Sequence, residues 1–234
     1  MDASHILVIT FTKSAANEMK ERFFRRMQKE ARQVTFGTFH AVFFKILKHA
    51  YHFEASNIIR EEERIRFMQE MIYAMKLDYE DEAEWIKDIF SEISMVKNRR
   101  IRLENYYPVH CGKDVFSRIF QEYQKFLRQR RKIDFDDMLV YTYELFVERS
   151  DILSAWQNKY RYILIDEFQD VNQLQYEIVR MLANPRQNLF IVGDDDQSIY
   201  RFRGANPEIM LHVPRDYQDL ELVSLDYNYR CPRD

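Results

Sequence analysis

Ile163-Leu164-Ile165-Asp166-Glu167 is a short apolar run that ends in two adjacent carboxylates. A continuous apolar run of this length, bounded by polar residues, reads as a strand buried on both faces, as in a parallel sheet. In open α/β sheets ligands bind outside the carboxyl ends of the strands. This strand, expected over residues 160–165, would therefore deliver Asp166 and Glu167 to a binding crevice.

The same pattern recurs on either side. Residues 6–11 form a second apolar run, and Thr12 and Ser14 are N-cap candidates for a helix with Ala15, Ala16, Met19 and Phe23 on one side. Residues 33–36 read as a short strand that Gly37 ends, with Thr38 capping a helix over 39–52. Downstream, a helix is expected over 173–182 and a strand over 188–192 that ends in Gly193-Asp194-Asp195-Asp196. Pro207 opens a short helix, and 220–225 reads as a last strand. Between these units, from Glu61 to Arg131, apolar residues recur only at helical spacing: Ile65, Met68, Ile72 and Met75, then Ile86, Ile89, Ile93 and Val96. Residues 133–137 open another helix that runs through Phe146. Alternating strands and helices argue for an α/β fold with a parallel sheet flanked by helices. The strand-free block argues for an inserted all-helical subdomain. The expected division is a discontinuous core of residues 1–55 and 132–234 around an insert of residues 56–131.

Bulk composition narrows the chemistry. A chain of 234 residues, 46% hydrophobic and 31% charged, can bury a core without staples. The formal net charge of −3 gives no global signature for nucleic acid, so any such site must be local. Cys111 and Cys231 form no C-x-x-C pair and argue against a disulfide framework or zinc site. That usage suits a reducing, cytoplasmic setting. No apolar stretch approaches the ~20 residues needed to span a bilayer, and no membrane role is expected.

An apolar strand that delivers Asp-Glu at its C-terminal end is a Walker B arrangement. Such a carboxylate can serve a Mg²⁺ ion that bridges nucleotide phosphates. A neighbouring glutamate can orient or deprotonate water. Taken alone, the pair reads equally well as two acids capping the next helix. It is not alone. The string continues as Asp166-Glu167-Phe168-Gln169-Asp170, and later come Val192-Gly193-Asp194-Asp195-Asp196-Gln197-Ser198-Ile199-Tyr200 and Asn228-Tyr229-Arg230. Upstream lie Phe11-Thr12-Lys13-Ser14-Ala15-Ala16 and Thr35-Phe36-Gly37-Thr38-Phe39-His40.

In this order the strings resemble motifs Ia, Ib, II, III and IV of the UvrD/PcrA/Rep-type superfamily 1 DNA helicases. Residues 133–137 resemble the segment where that family's chain returns from its helical insert. The resemblance covers most of the chain, although position and composition alone support the insert. It implies a RecA-like first motor domain that uses ATP and Mg²⁺. By that resemblance Asp166 serves the metal, Glu167 is the catalytic base, and Gln197 reads the γ-phosphate. Arg230 places its guanidinium on the γ-phosphate and Tyr229 stacks on adenine. Gln197 as a turn residue, and Tyr229-Arg230 as a strand end, are the plainer alternatives.

The implied partners are single-stranded DNA and single-strand/duplex junctions, with repair or replication proteins beside them. Phe11, Tyr200 and Phe202 would offer stacking platforms for bases, and Thr12, Thr38, His40 and Arg203 would line the same track. Phe202 stands where the family commonly has tryptophan. Phe11, Phe202 and His40 also read as core residues. The basic runs 97–102 and 125–132 could meet duplex phosphates, or form a solvated face.

None of the four glycines belongs to a G-x-x-x-x-G-K-[ST] loop. By the resemblance that loop would precede residue 1, and a second motor domain would follow Asp234. This chain alone is therefore expected to be inactive, as part of an ATP-dependent helicase with 3′-to-5′ polarity. A non-catalytic DNA-binding module and the motor of an AddA/RecB-like helicase–nuclease are the competing readings.

Overall fold

The computed structural model describes residues 2–27, 32–194 and 208–225. Four parallel strands form one sheet in the order β2-β1-β3-β4: β1 (Ile6–Thr10), β2 (Thr35–Thr38), β3 (Tyr162–Ile165) and β4 (Leu189–Ile191). Helices flank it, as the α/β expectation requires. α1 (Lys13–Arg26) and α2 (Phe39–Tyr51) follow the first two strands. α3 (Glu61–Met75), α4 (Glu82–Asn98) and α5 (Lys113–Gln129) come next, with no strand among them. α6 (Phe135–Glu148) and α7 (Ser150–Lys159) lead to β3; α8 (Gln173–Ala183) joins β3 to β4, and α9 (Glu208–Asp216) comes last.

Strand alternation sets which residues enter the core. Leu7 and Ile9 of β1 and Ile163 and Ile165 of β3 are buried, and they share a cluster with Phe43 of α2, Leu139 of α6 and Val179 of α8. A second cluster holds Met68 of α3, Ile89 of α4 and Tyr123 of α5. The chain passes between the two clusters along two adjacent segments. Ile133 N–H donates to Asn57 O at 2.8 Å and Ile59 N–H to Ile133 O at 3.0 Å, so the outgoing and returning segments are hydrogen-bonded to each other.

Among the described residues the other sheet face is less covered. α1 lies against β2, with Phe23 and Phe36 ring centroids 5.6 Å apart. Beside it runs an apolar groove of about 600 Å³ lined by Ile6, Val8, Phe36, Tyr162, Leu164 and Phe190.

Caps explain where the helices begin. Thr12 Oγ1 accepts from Ala15 N–H at 3.1 Å and Thr38 Oγ1 from Ala41 N–H at 3.3 Å, as their sequence positions suggest. Ahead of α8, Asn172 and Gln175 cap each other: Asn172 Oδ1 accepts from Gln175 N–H at 2.9 Å and Gln175 Oε1 from Asn172 N–H at 3.0 Å. Asn172→Ala should lower stability by about 0.5–2 kcal/mol, read as an earlier urea midpoint at unchanged m. An unmoved midpoint would show that α8 does not depend on this cap.

Two sequence expectations need correction, and one helix adds to them. Gly37 does not end β2 but lies within it, paired with Ile9, and a Cβ there would sit 3.4 Å from Val42. Residues 220–225 form no strand; Leu222, Val223 and Leu225 are exposed and have no ladder partner among the described residues. A strand needs a neighbour for its backbone N–H and C=O groups, and apolar composition supplies none. α7, with Trp156 buried against the core, was not foreseen.

Candidate functional site

The C-terminal ends of β1, β2, β3 and β4 lie side by side because all four strands are parallel and in register. Asp166 N–H donates to Ile9 O at 2.9 Å, which sets Asp166 beside Thr10 at the end of β1. Thr10 is buried, and its hydroxyl has no hydrogen-bond partner among the described residues. Burial, and then the Glu167 charge, push the Asp166 carboxyl above the usual carboxylate range. A cation placed here would relieve both effects.

Glu167 is exposed and has φ 54°, in the left-handed region that a residue with a Cβ rarely adopts. Such a conformation persists only where its surroundings hold it, and it is enriched at functional sites. Here the holding group is Gln169. Gln169 Nε2 donates to Glu167 Oε2 at 2.7 Å, and Gln169 Oε1 accepts from Asp194 N–H at 3.1 Å. Phe168 N–H donates to Val192 O at 2.9 Å. The loop after β3 is thus laced to the loop after β4. Gly193 makes this approach possible: a Cβ there would lie 2.9 Å from Gln169 Oε1 and 3.2 Å from Gln169 N.

No group of three or more potential metal ligands occurs among the described residues. A protein-caged metal such as a structural zinc is not what this donor set fits. One carboxylate at a strand end fits Mg²⁺, a hard ion that keeps much of its water and shares its shell with substrate phosphates.

The other expected site residues divide into two groups. Phe11 is half-buried just past β1, Thr12 caps α1, and Thr38 and His40 flank the start of α2. All four lie at the same strand ends as Asp166. Burial pushes the His40 imidazole below its usual value, which favours its neutral form. Its ring stands edge-on to Phe135, 5.4 Å between centroids. Gln197, Tyr200, Phe202, Arg203, Tyr229 and Arg230 lie outside the described residues.

Sequence reasoning missed two residues. Gln169 lies within the Asp166–Asp170 string, yet its bridging role depends on where β4 ends in space. Phe135 opens α6 and remains 54% exposed beside His40. Its signal was available: a large aromatic among three acids is out of place in a helix's first turn.

The sequence profile of the UvrD/REP helicase N-terminal domain matches residues 1–218. The chain is 38% identical over 235 residues to YjcD of Bacillus subtilis (strain 168), covering 97% of this chain and 30% of that protein. It is 33% identical over 235 residues to the ATP-dependent DNA helicase Rep of Escherichia coli (strain K12), covering 97% and 34%. Against the ATP-dependent DNA helicase PcrA of Bacillus subtilis (strain 168) it is 35% identical over 247 residues, covering 98% and 32%. The chain therefore spans about a third of the length of the curated relatives it matches. With a parallel sheet that presents Asp166 and Glu167 at its carboxyl edge and a profile match across most of its length, this chain belongs to the UvrD/REP helicase family, as the N-terminal domain.

Proposed function

We propose that the protein carrying this chain is an ATP-dependent DNA helicase, which couples ATP hydrolysis to 3′-to-5′ movement on single-stranded DNA and to opening of single-strand/duplex junctions. One observation carries the proposal: Glu167, in a left-handed conformation, is tied through Gln169 to the end of β4 and stands next to the desolvated Asp166. An acid held this way is suited to a water molecule beside a nucleotide. Rep and PcrA, both ATP-dependent DNA helicases, support the same reading.

The roles follow residue by residue. Asp166 would hold Mg²⁺, which would supply charge neutralisation at the phosphates. Glu167 takes the proton of the attacking water, and Gln169 keeps its carboxylate aimed. Gln197 and Arg230 address the γ-phosphate, and Tyr229 the adenine. The 234 residues contain no phosphate-binding loop of their own. Parallel sheets are normally covered on both faces, so the groove along Val8, Leu164 and Phe190 is a seat for a strand–helix unit that brings one. Without that unit the chain alone should not hydrolyse ATP. Residues 1–55 and 132–234 act as the motor core and 56–131 as the helical insert, a division that the two separate buried clusters support. The protein works in the cytoplasm with DNA repair or replication proteins.

DNA would run past the strand ends, over Phe11, Thr12, Thr38, His40 and Phe135; Tyr200, Phe202 and Arg203 would contact it as well. The test uses the full-length protein with a 3′-tailed duplex. Phosphate release should rise on adding single-stranded DNA, and the duplex should open only with ATP and Mg²⁺. Phe202→Ala should weaken single-strand binding by ~1–3 kcal/mol. ATP turnover indifferent to DNA would overturn the reading.

A further inference from the structure

The first turn of α6 is anchored to the helical block. Asp134, Asp136 and Asp137 surround Phe135 in sequence, and α4 holds all three. Lys97 Nζ donates at 2.7 Å to Asp134 Oδ2 and at 2.7 Å to Asp137 Oδ1. Asp136 Oδ1 accepts from Ser94 Oγ at 2.9 Å and from Asn98 Nδ2 at 2.7 Å. Asp134 and Asp137 also cap each other across the helix start. Lys97 itself is 4% exposed, with its ammonium 5.4 Å from the Tyr123 ring centroid of α5.

The later turns of α6 belong to the other side. Met138, Leu139, Leu145 and Phe146 pack in the core under the sheet. α6 therefore joins the two clusters, and Phe135 stands where they meet. Its ring is not among the groups that hold the turn. It is exposed, and its ring packs edge-on against the His40 ring in the first turn of α2.

A buried lysine between two carboxylates is poorly explained by stability alone. Well-packed apolar residues in place of a buried ion pair are often neutral or more stabilising. What such a cluster supplies is geometry, because three hydrogen-bonding groups and one ammonium fix a backbone turn in one position. We propose that Lys97 is a positioning residue for the DNA track: by clamping Asp134 and Asp137 it fixes the first turn of α6, and so holds the Phe135 ring beside His40 for base stacking. This rests on the reading that His40 and Phe135 line that track. It makes the helical block a determinant of a stacking site that lies at the sheet.

The experiment uses the full-length protein, with single-strand affinity read by fluorescence anisotropy and DNA-stimulated ATP turnover read in parallel. Phe135→Ala should weaken DNA binding roughly five- to a hundredfold, the worth of one base stack. Lys97→Met and the milder Asn98→Ala should also weaken it. Both should raise the DNA concentration for half-maximal stimulation while leaving kcat at saturating DNA and KM for ATP unchanged. In a Phe135→Ala background neither should add a further loss, because they act through that ring. If the losses add, or if kcat falls while the DNA requirement stays put, Lys97 serves stability without positioning the ring, and the proposal is overturned. If Phe135→Ala alone leaves affinity unchanged, the placement of the track over Phe135 fails first, and the proposal with it. Should Lys97→Met not fold, Asn98→Ala decides alone, since Asn98 is only half-buried and its bond reaches the same turn.

Discussion

Glu167→Gln in the full-length protein should slow ATP hydrolysis by ~10²–10⁴-fold, the usual cost of losing a positioned base. The substitution keeps the side chain's size. It also keeps an oxygen that can accept from Gln169 Nε2, which now donates to Glu167 at 2.7 Å. The loop geometry should therefore survive, and the loss should fall on chemistry. ATP affinity should change little, because Asp166 still serves the metal, and DNA binding should persist. Asp166→Asn should behave differently. An amide cannot hold Mg²⁺ as a carboxylate does, so this variant should need more Mg²⁺ to bind ATP. Single-turnover hydrolysis, nucleotide affinity and DNA affinity, measured on both variants, separate the two roles. Loss of ATP binding by Glu167→Gln, with near-normal turnover of what still binds, would reverse the assignment of base and metal ligand.

Those two acids were legible in the sequence because their meaning is local. An apolar run fixes a buried strand, and the next residue must emerge at its carboxyl end. The helix starts at Thr12 and Thr38 were legible for the same reason, since a cap reaches only three residues along the chain. Other features depend on partners distant in sequence. Gly37 is a strand residue because β1 lies alongside it, and 220–225 is not a strand because nothing described does. The basic run 97–102 read as a phosphate contact or a solvated face; Arg99 and Arg102 are exposed, but Lys97 and Arg100 are taken up by partners within the chain. Lys97 is buried among aspartates, while Arg100 donates to Glu177 at 2.7 Å and lies 3.9 Å from the Tyr143 ring centroid. In the run 125–132, Arg131 donates to Tyr51 O at 3.2 Å and Lys132 to Ser56 O at 3.0 Å. Much of this charge fastens the helical block to the sheet-bearing part. Sequence spacing could not show that, because each partner lies far away along the chain.

The same buried lysine gives the largest expected effect on stability. Lys97→Met keeps most of the side chain's length and removes its charge. Asp134 and Asp137 are then left facing each other with little water, which should cost about 3–5 kcal/mol near pH 8. The sign of the pH dependence follows from the carboxyls. In the native cluster burial opposes ionisation, but the Lys97 ammonium keeps Asp134 below the usual carboxylate range. Burial, and then the Asp134 charge, push Asp137 up to about 7. Asp137 thus already favours the folded state at low pH, and that contribution is lost as pH rises through about 7. Asp134 contributes in the opposite sense, with its stabilisation fully present above ~3.9, the carboxyl's unfolded value. Without the ammonium, both carboxyls should lie above that unfolded value. Each would then bind protons more tightly folded than unfolded, so the variant's deficit should be small at pH 5 and full at pH 8. Asp136, a third carboxyl that burial pushes up and the ammonium holds down, should rise in the variant in the same sense, whereas Arg64 stays charged and Tyr123 and Tyr141, both pushed up by burial, stay neutral across this range. Urea unfolding at the two pH values gives the deficit directly. Adding Asp137→Asn to Lys97→Met should recover part of it at pH 8 and little at pH 5, because the added amide removes a charge that exists only at the higher pH. A deficit equal at both pH values would mean that Lys97 is held for its packing, and that its charge does not secure the first turn of α6.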